Sequence, residues 1–183
     1  MSRDAPLEFL SSLEGTEIAF QPSGPPFDFP AQTWIIIEKL SEQASRMTQE
    51  DIDDGFGLSF THGKFLCHRA DDTTKIAFMR IYLQIPIVGT EFSRTRATQA
   101  APPRTHPELK ALKAFKSKDC DVVPSLLCYQ EGTQDQDGVV PGGYVTYYVW
   151  DKVPGESPDH KTFWDMDLPS RQAFRTQFRS VLE

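Results

Sequence analysis

Hydrophobic and polar positions alternate in the middle of the chain, and this period of two predicts β-strands. Phe56, Leu58 and Phe60 alternate with small or polar residues, as expected for a half-buried strand. Residues 61–64, with the sequence THGK, have the composition of a turn, and residues 65–68 continue as a strand.

Further strands are predicted on both sides of a long polar connection. The polar segment 69–74 closes a hairpin onto the apolar run 75–87. Residues 122–129 predict another strand, with a proline near its start. Residues 144–150, with the sequence YVTYYVW, have the strongest strand propensity in the chain.

Two helices are predicted in the second half of the chain. The first follows Thr105, a plausible N-cap, because Glu108 has the capping-box spacing and Pro107 suits a first helical turn. Its leucines and Phe115 form one apolar stripe. A final amphipathic helix begins near Pro169.

The first 54 residues are less regular. Residues 21–30 contain four prolines and predict a loop or extended arm. Residues 33–40 fit a strand by their β-branched content and a helix by their spacing, so both remain open. Residues 48–51 fit one capped helical turn.

Composition and charge narrow the function classes. The 183 residues suffice for one domain with a core, and a formal net charge of −7 argues against general nucleic-acid binding. We therefore expect no nucleic-acid partner. The absence of a long apolar run or a signal-like start predicts no membrane span and a cytoplasmic location.

Metal and cofactor chemistry has little support in the sequence. The three cysteines are widely spaced and form no CxxC pair, and the four histidines have no zinc-ligand spacing. Asp135 and Asp137 resemble a calcium loop only superficially, because the other ligand positions are missing. We expect no metal, no cofactor and no hydrolase triad.

The order of elements is strand, strand, long strand, helix, strand, strand, turn, helix, which indicates an antiparallel sheet with one crossing helix. This order resembles the small lobe of protein kinases. Segments such as RIYLQIP at 80–86 and WDKVPG at 150–155 resemble a group of filamentous-fungal protein-kinase-like proteins. The resemblance extends from residue 65 to the C-terminus.

The resemblance implies an α+β fold. We expect an antiparallel sheet of about five strands with one crossing helix, as in a protein-kinase small lobe, plus a C-terminal helix and an N-terminal extension. Residues 1–54 would form the extension or arm, and residues 55–183 would form the small-lobe-like domain.

The departures from the kinase pattern argue against phosphoryl transfer. Arg80 occupies the position that resembles the phosphate-binding lysine, and a guanidinium is not equivalent to an ammonium. Residues 55–57 form a lone GxG rather than a glycine-rich loop, and no HRD-like or DFG-like motif follows. Kinase activity is therefore not expected.

Two sets of candidate residues emerge. The resemblance implies that Arg80 and Glu108 form a buried ion pair that aligns the helix on the sheet, and the alternative is that both are ordinary solvated charges. The candidate ligand or interface surface comprises Tyr144, Tyr148, Trp150, Asp151 and Val153. Of the aromatic residues in this strand, one set packs under the helix, and the other would be exposed if no second lobe covered it.

The sequence thus predicts a catalytically degenerate kinase-related domain that acts in binding or assembly. Its partner would be a second copy, another protein or a small-molecule ligand. One alternative is a small-molecule-processing enzyme that uses Arg80, Glu108 or Asp151 as acid–base groups. Another is a truncated fragment of a longer pseudokinase.

Overall fold

The computed structural model describes residues 8–90, 92–155 and 160–182, and the chain forms two compact units, Met1–Lys152 and Val153–Glu183. The described part of the first unit contains strands β1 Glu17–Phe20, β2 Gln32–Ser45, β3 Phe60–Arg69, β4 Ile76–Gln84, β5 Leu126–Thr133 and β6 Tyr144–Asp151, and helices α1 Gln49–Asp53, α2 Ser93–Ala97 and α3 Pro107–Ser117. The second unit contains α4 His160–Asp165 and α5 Leu168–Leu182.

All neighbouring strands are antiparallel, in the order β1-β2-β3-β4-β6-β5. The two edge strands, β1 and β5, approach one another. Side chains link this seam: the backbone N–H of Gln21 donates to Gln130 Oε1 at 3.2 Å, and Gln32 Nε2 donates to the Leu127 carbonyl at 3.1 Å. The sheet is therefore a nearly closed barrel.

The predicted fold class, a kinase small-lobe-like sheet of about five strands with one crossing helix, is wrong. The structure is a six-stranded antiparallel sheet, nearly closed into a barrel, with a few small helices. The reason lies in residues 33–40, which belong to the 14-residue strand β2. This strand pairs with β1 on one side and with β3 on the other. Its two register shifts also increase the local twist, which helps the sheet to curl.

Three shorter predictions concern residues 48–51, residues 61–64 and the helix after Thr105. The capped turn at residues 48–51 is confirmed, since Thr48 and Asp51 form a capping box at the start of α1. The predicted turn at residues 61–64 is wrong, because these residues lie within the continuous strand β3. The helix after Thr105 is confirmed, but its N-cap is His106, and the Thr105 hydroxyl instead donates to Glu131.

The first 54 residues, predicted as an extension, supply β1, β2 and α1, and their two strands pair in the same sheet as β3. The predicted C-terminal helix is present as α5.

Apolar side chains from every strand fill the interior of the barrel. Alternation along β3, β4 and β6 directs every second residue inward. The inner cluster comprises Leu10, Phe20, Trp34, Ile36, Phe65, Cys67, Ala77, Met79, Ile81, Cys128, Val145 and Val149. Burial raises the pKa of the Cys67 thiol to about 12, so this thiol stays protonated at neutral pH.

A second cluster lies on the outside of the sheet, beneath α3. Its buried members are Phe29, Tyr82, Leu109, Leu126, Tyr148 and Trp150. Leu109 is the helix residue that is fully buried in this cluster. Because the barrel interior is filled mainly by apolar side chains, this outer face is where α3 can bring charged groups onto the sheet.

The carboxylate of Glu42 fastens the N-terminal segment to the barrel. Its Oε1 accepts hydrogen bonds from the Phe9 N–H at 2.7 Å and from the Thr61 hydroxyl at 3.1 Å, and Lys39 Nζ lies 3.2 Å from Oε2. Burial tends to raise the pKa of Glu42, but hydrogen bonds, first that from Phe9, outweigh burial and lower it.

We predict that Glu42→Gln lowers the free energy of unfolding by about 2 kcal/mol, because the new amide group directs a donor at groups that are themselves donors. Urea denaturation followed by circular dichroism measures the change. Glu38→Gln, at an exposed position on the same strand, is the matched control and should shift stability by less than about 0.5 kcal/mol. Equal effects of the two substitutions would contradict the role given to Glu42.

Candidate binding site beside helix α3

The outer face of β3, β4 and β6 presents aromatic and cationic side chains in cross-strand rows. Lys64 lies opposite Arg80, which lies opposite Tyr148. On one side of this row, Phe78 lies opposite Trp150. The rows bring together residues that are far apart in the sequence, and we call this surface the outer face.

An ion pair joins α3 to the outer face. Arg80 Nε donates to Glu108 Oε2 at 3.1 Å, and Arg80 Nη2 donates to Oε1 at 3.3 Å. The Tyr148 hydroxyl also donates to Oε2, at 2.7 Å. The Arg80 side chain is 15 % exposed. Burial opposes its charge, yet the attraction of Glu108 outweighs this and raises the pKa of Arg80.

Lys64 is the second cation in the row, and its environment differs from that of Arg80. Its Nζ lies 3.8 Å from the centre of the Phe78 ring. Burial, and then the positive charge of Arg80, lower the pKa of Lys64. Within residues 8–90, 92–155 and 160–182, no carboxylate forms an ion pair with Lys64.

Two further cations flank the aromatic rings of the outer face. The Arg104 guanidinium lies 5.3 Å from the centre of the Phe60 ring, and Lys152 Nζ lies 5.9 Å from that of Phe78. Four cations therefore surround this face: Lys64, Arg80, Arg104 and Lys152. In the part of the chain that the structure describes, Glu108 is the one carboxylate that forms an ion pair with any of them.

The N-terminal end of α3 is packed by an imidazole ring. His106 is 3 % exposed and stacks on Tyr82 with ring centres 3.6 Å apart and an interplanar angle of 15°. Its Nε2 has no hydrogen-bond partner, and neither has the hydroxyl of the buried Thr146, which lies opposite Tyr82 on β6. Burial, followed by the positive charge of Arg104, lowers the pKa of His106 to about 4. The ring is therefore neutral at physiological pH.

The structure brings Arg80 and Glu108 together, and it places Tyr144, Tyr148 and Trp150 on one face of β6. These three aromatic side chains are buried, with exposures of 0 %, 0 % and 8 %. Tyr147, on the other face, packs against the inner cluster. The expected exposed aromatic set on this strand is therefore not present.

Two members of the predicted surface lie elsewhere. Asp151 is half-buried, and its backbone N–H donates to the Ser125 carbonyl at 3.1 Å. Val153 is 46 % exposed and begins the second compact unit.

Sequence reasoning missed Lys64, Phe78 and Phe60 as members of a site. The interpretation of residues 61–64 as a turn removed Lys64 from the sheet. The signal was available, because Phe60, His62, Lys64 and Leu66 occupy every second position of what is one strand.

A separate recess lies at one end of the barrel. It has a volume of about 370 Å³, and its walls include Leu83, Val145 and Tyr147. Asp135 and Asp137 also line it. Asp135 Oδ1 accepts a bond from the backbone N–H of Asp137, at 3.2 Å. Among the described residues, no group of three or more His, Cys, Asp or Glu side chains is arranged to hold a metal ion.

No family model, no curated protein and no solved structure matches this chain. The resemblance to fungal protein-kinase-like proteins thus remains a prediction. None of the described helices has the length and apolar character needed to cross a membrane.

We predict that the Arg80–Glu108 pair is energetically coupled. Arg80→Met and Glu108→Gln should each lower the free energy of unfolding by about 1–3 kcal/mol, because each leaves a partly buried charge without its partner. The double variant should be less destabilised than the sum of the two, with a coupling of about 1 kcal/mol. Urea denaturation of the four proteins measures this cycle.

Glu17→Gln, at an exposed position outside this cluster, is the control for loss of a carboxylate and should be near neutral. Strict additivity of the Arg80 and Glu108 substitutions would show that the ion pair contributes nothing to stability.

We predict that His106 makes stability depend on pH between about 6.5, its ordinary pKa, and about 4, its folded pKa. In this window the unfolded chain binds a proton that the folded protein does not, so the free energy of unfolding falls as the pH is lowered. The loss reaches about 3 kcal/mol once the pH is below both values. The charged or titratable groups around the ring are Arg104, His62, Glu108, Tyr82 and Tyr144.

His106→Phe keeps an aromatic ring on Tyr82 but removes the titration, so its stability should change less than that of the wild type between pH 7 and pH 4. His68→Phe, a substitution on β3 outside this cluster, is the control for the loss of an imidazole ring. Parallel pH profiles for His106→Phe and the wild type, measured by urea denaturation, would contradict the assignment.

Proposed function

We propose that the first compact unit is a binding domain whose outer face binds a protein segment that carries carboxylates next to an aromatic residue. The observation that carries this proposal is the pairing of Lys64 directly opposite Arg80, with one carboxylate, Glu108, bonded to Arg80. The proposal retains the binding role expected from the sequence and does not depend on a relation to kinases.

The electrostatics of this row favour an additional anion. Like charges opposite one another on neighbouring strands destabilise a sheet. Glu108 compensates Arg80, whereas the pKa of Lys64 is lowered by burial and by Arg80. A carboxylate that binds at Lys64 would favour its charged form and relieve the repulsion.

The rings beside Lys64 add an apolar component to the proposed site. Phe60 and Phe78 are half-buried, so each retains accessible surface. Phe78 also lies 5.9 Å from Trp150, ring centre to ring centre. A ligand that places an aromatic ring against Phe78 and a carboxylate at Lys64 would use both features. Aromatic anchors surrounded by charged groups are typical of protein interfaces.

The bonding of Glu108 favours binding over the alternative of acid–base catalysis. One of its oxygens accepts from Arg80, and the other accepts from both Arg80 and Tyr148. A carboxylate with three donors is held in place as an acceptor and has little freedom to take a proton from a substrate.

We predict that labelled peptides with several Glu residues and one Phe bind the wild-type chain more tightly than matched peptides that lack either the Phe or the charges. Lys64→Glu should weaken this binding at least tenfold, because it places a carboxylate where the peptide carboxylate would bind. Fluorescence anisotropy at low and high salt measures the dissociation constants, and binding should weaken as salt rises.

Lys75→Glu, a charge reversal at an exposed position before β4, is the matched control and should leave the affinity within about twofold. Lys64→Gln should give an intermediate loss. If all peptides bind alike, or if Lys64→Glu and Lys75→Glu have equal effects, the outer face is not the binding site.

A further inference from the structure

We infer that the segment bound by the outer face is residues 50–56 of a second copy of this chain, so that the protein self-associates through these two surfaces. This inference rests on the proposed binding role of the outer face and names its partner. It combines an exposed acidic and aromatic segment with a half-buried cationic and aromatic surface in the same molecule.

The segment 50–56, with the sequence EDIDDGF, presents three of its four carboxylates to solvent. Helix α1 has no buried residue. Glu50, Asp53 and Asp54 are exposed, and none forms an ion pair within the described ranges. Phe56 lies two residues after Asp54 and is 70 % exposed.

The acidic segment is held in a defined conformation, which lowers the entropy that binding must overcome. Thr48 and Asp51 form reciprocal capping bonds, and the Thr48 N–H donates to Asp51 Oδ2 at 2.7 Å. Gln49 Nε2 donates to Asp53 Oδ1 at 2.8 Å. Gln49 is uncharged, so Glu50, Asp53 and Asp54 all keep a negative charge that can pair with a cation.

The charges of the two surfaces are complementary. The outer face gathers four cations, whereas the chain as a whole has 19 Lys and Arg against 26 Asp and Glu. A second copy that brings Asp53 or Asp54 to Lys64 supplies the missing carboxylate. Phe56 from that copy would pack against Phe78 and Phe60.

Other acidic segments of the first unit fit this face less well. Asp71 is paired with Arg69 at 2.6 Å, and Asp72 accepts from Thr74. Asp135 and Asp137 lie in a hairpin whose neighbouring residues include no exposed aromatic side chain. Among the described residues of this unit, residues 50–56 combine unpaired carboxylates with an adjacent exposed ring.

Two copies related by a two-fold axis would each donate residues 50–56 and each receive them, which closes the assembly as a dimer. Such reciprocity makes a sharp charge-exchange experiment possible. The first variant is Lys64→Glu, which reverses the receiving surface. The second is Asp53→Lys with Asp54→Lys, which reverses the donated segment.

Sedimentation equilibrium of the full chain measures self-association. The wild type should form a dimer, and each variant alone should dissociate at least tenfold more readily than the wild type. An equimolar mixture of the two variants should recover the dimer, because both contacts then unite opposite charges. Glu14→Lys with Glu17→Lys, at exposed positions outside α1, is the control and should leave the dimer unchanged.

A monomeric wild type, a dimer that survives either charge reversal, or a mixture that fails to recover would overturn the inference. Circular dichroism of each variant separates these outcomes from unfolding, and Lys64→Gln tests the same contact without adding a charge. The acidic peptides with one Phe distinguish a failure of self-association from a failure of the proposed binding role of the outer face. If they bind in a Lys64-dependent manner while the wild type stays monomeric, the face binds another partner and only self-association fails.

Discussion

The carboxylate of Glu108 attaches α3 to the sheet, and its bonds leave the neighbouring Lys64 without a carboxylate partner among the described residues. It accepts both hydrogen bonds from Arg80 and one from Tyr148, so it anchors the helix to two neighbouring strands. The three hydrogen bonds that this carboxylate accepts all come from these two residues. Lys64, in the same cross-strand row, is left to the Phe78 ring. The bonding of Glu108 therefore both stabilises the helix on the sheet and leaves Lys64 available to bind another anion.

The near-closure of the barrel explains why this chemistry lies on the outside. Closure directs half of the side chains of each central strand into an interior filled by apolar residues. Glu42 is a buried acceptor on the N-terminal side, and it is satisfied by the backbone of Phe9 and by the Thr61 hydroxyl. Charged groups elsewhere must lie on the outer face, where α3 shields some of them and leaves others partly accessible.

Sequence reasoning identified both residues of the Arg80–Glu108 ion pair but not the barrel on which they meet. The resemblance to a kinase small lobe suggested that the two residues pair, and their places in an apolar run and in the first turn of a helix are local patterns that a sequence displays. The barrel depends on pairing between distant segments, which local patterns do not encode. Residues 33–40 fitted two periodicities, and only the pairing of β2 with both β1 and β3 decides between them. Gly63, next to Lys64, suggested a turn, but it lies in β3, where an added Cβ would fall 2.7 Å from the Phe65 ring.

The distribution of charge carries more functional meaning than the net charge. A net charge of −7 excludes a polyanion as a general partner only if the cations are dispersed. Here Lys64 and Arg80 face one another across two strands, with Arg104 and Lys152 beside adjacent rings. Copies of an acidic protein repel one another at long range, even when each copy concentrates cations on an aromatic surface. It can still bind a segment that presents carboxylates at short range, because Coulomb energies between partly buried groups exceed those between solvated charges. Salt screens the long-range repulsion between copies and the solvent-exposed part of the contact, and it affects the partly buried pairs least.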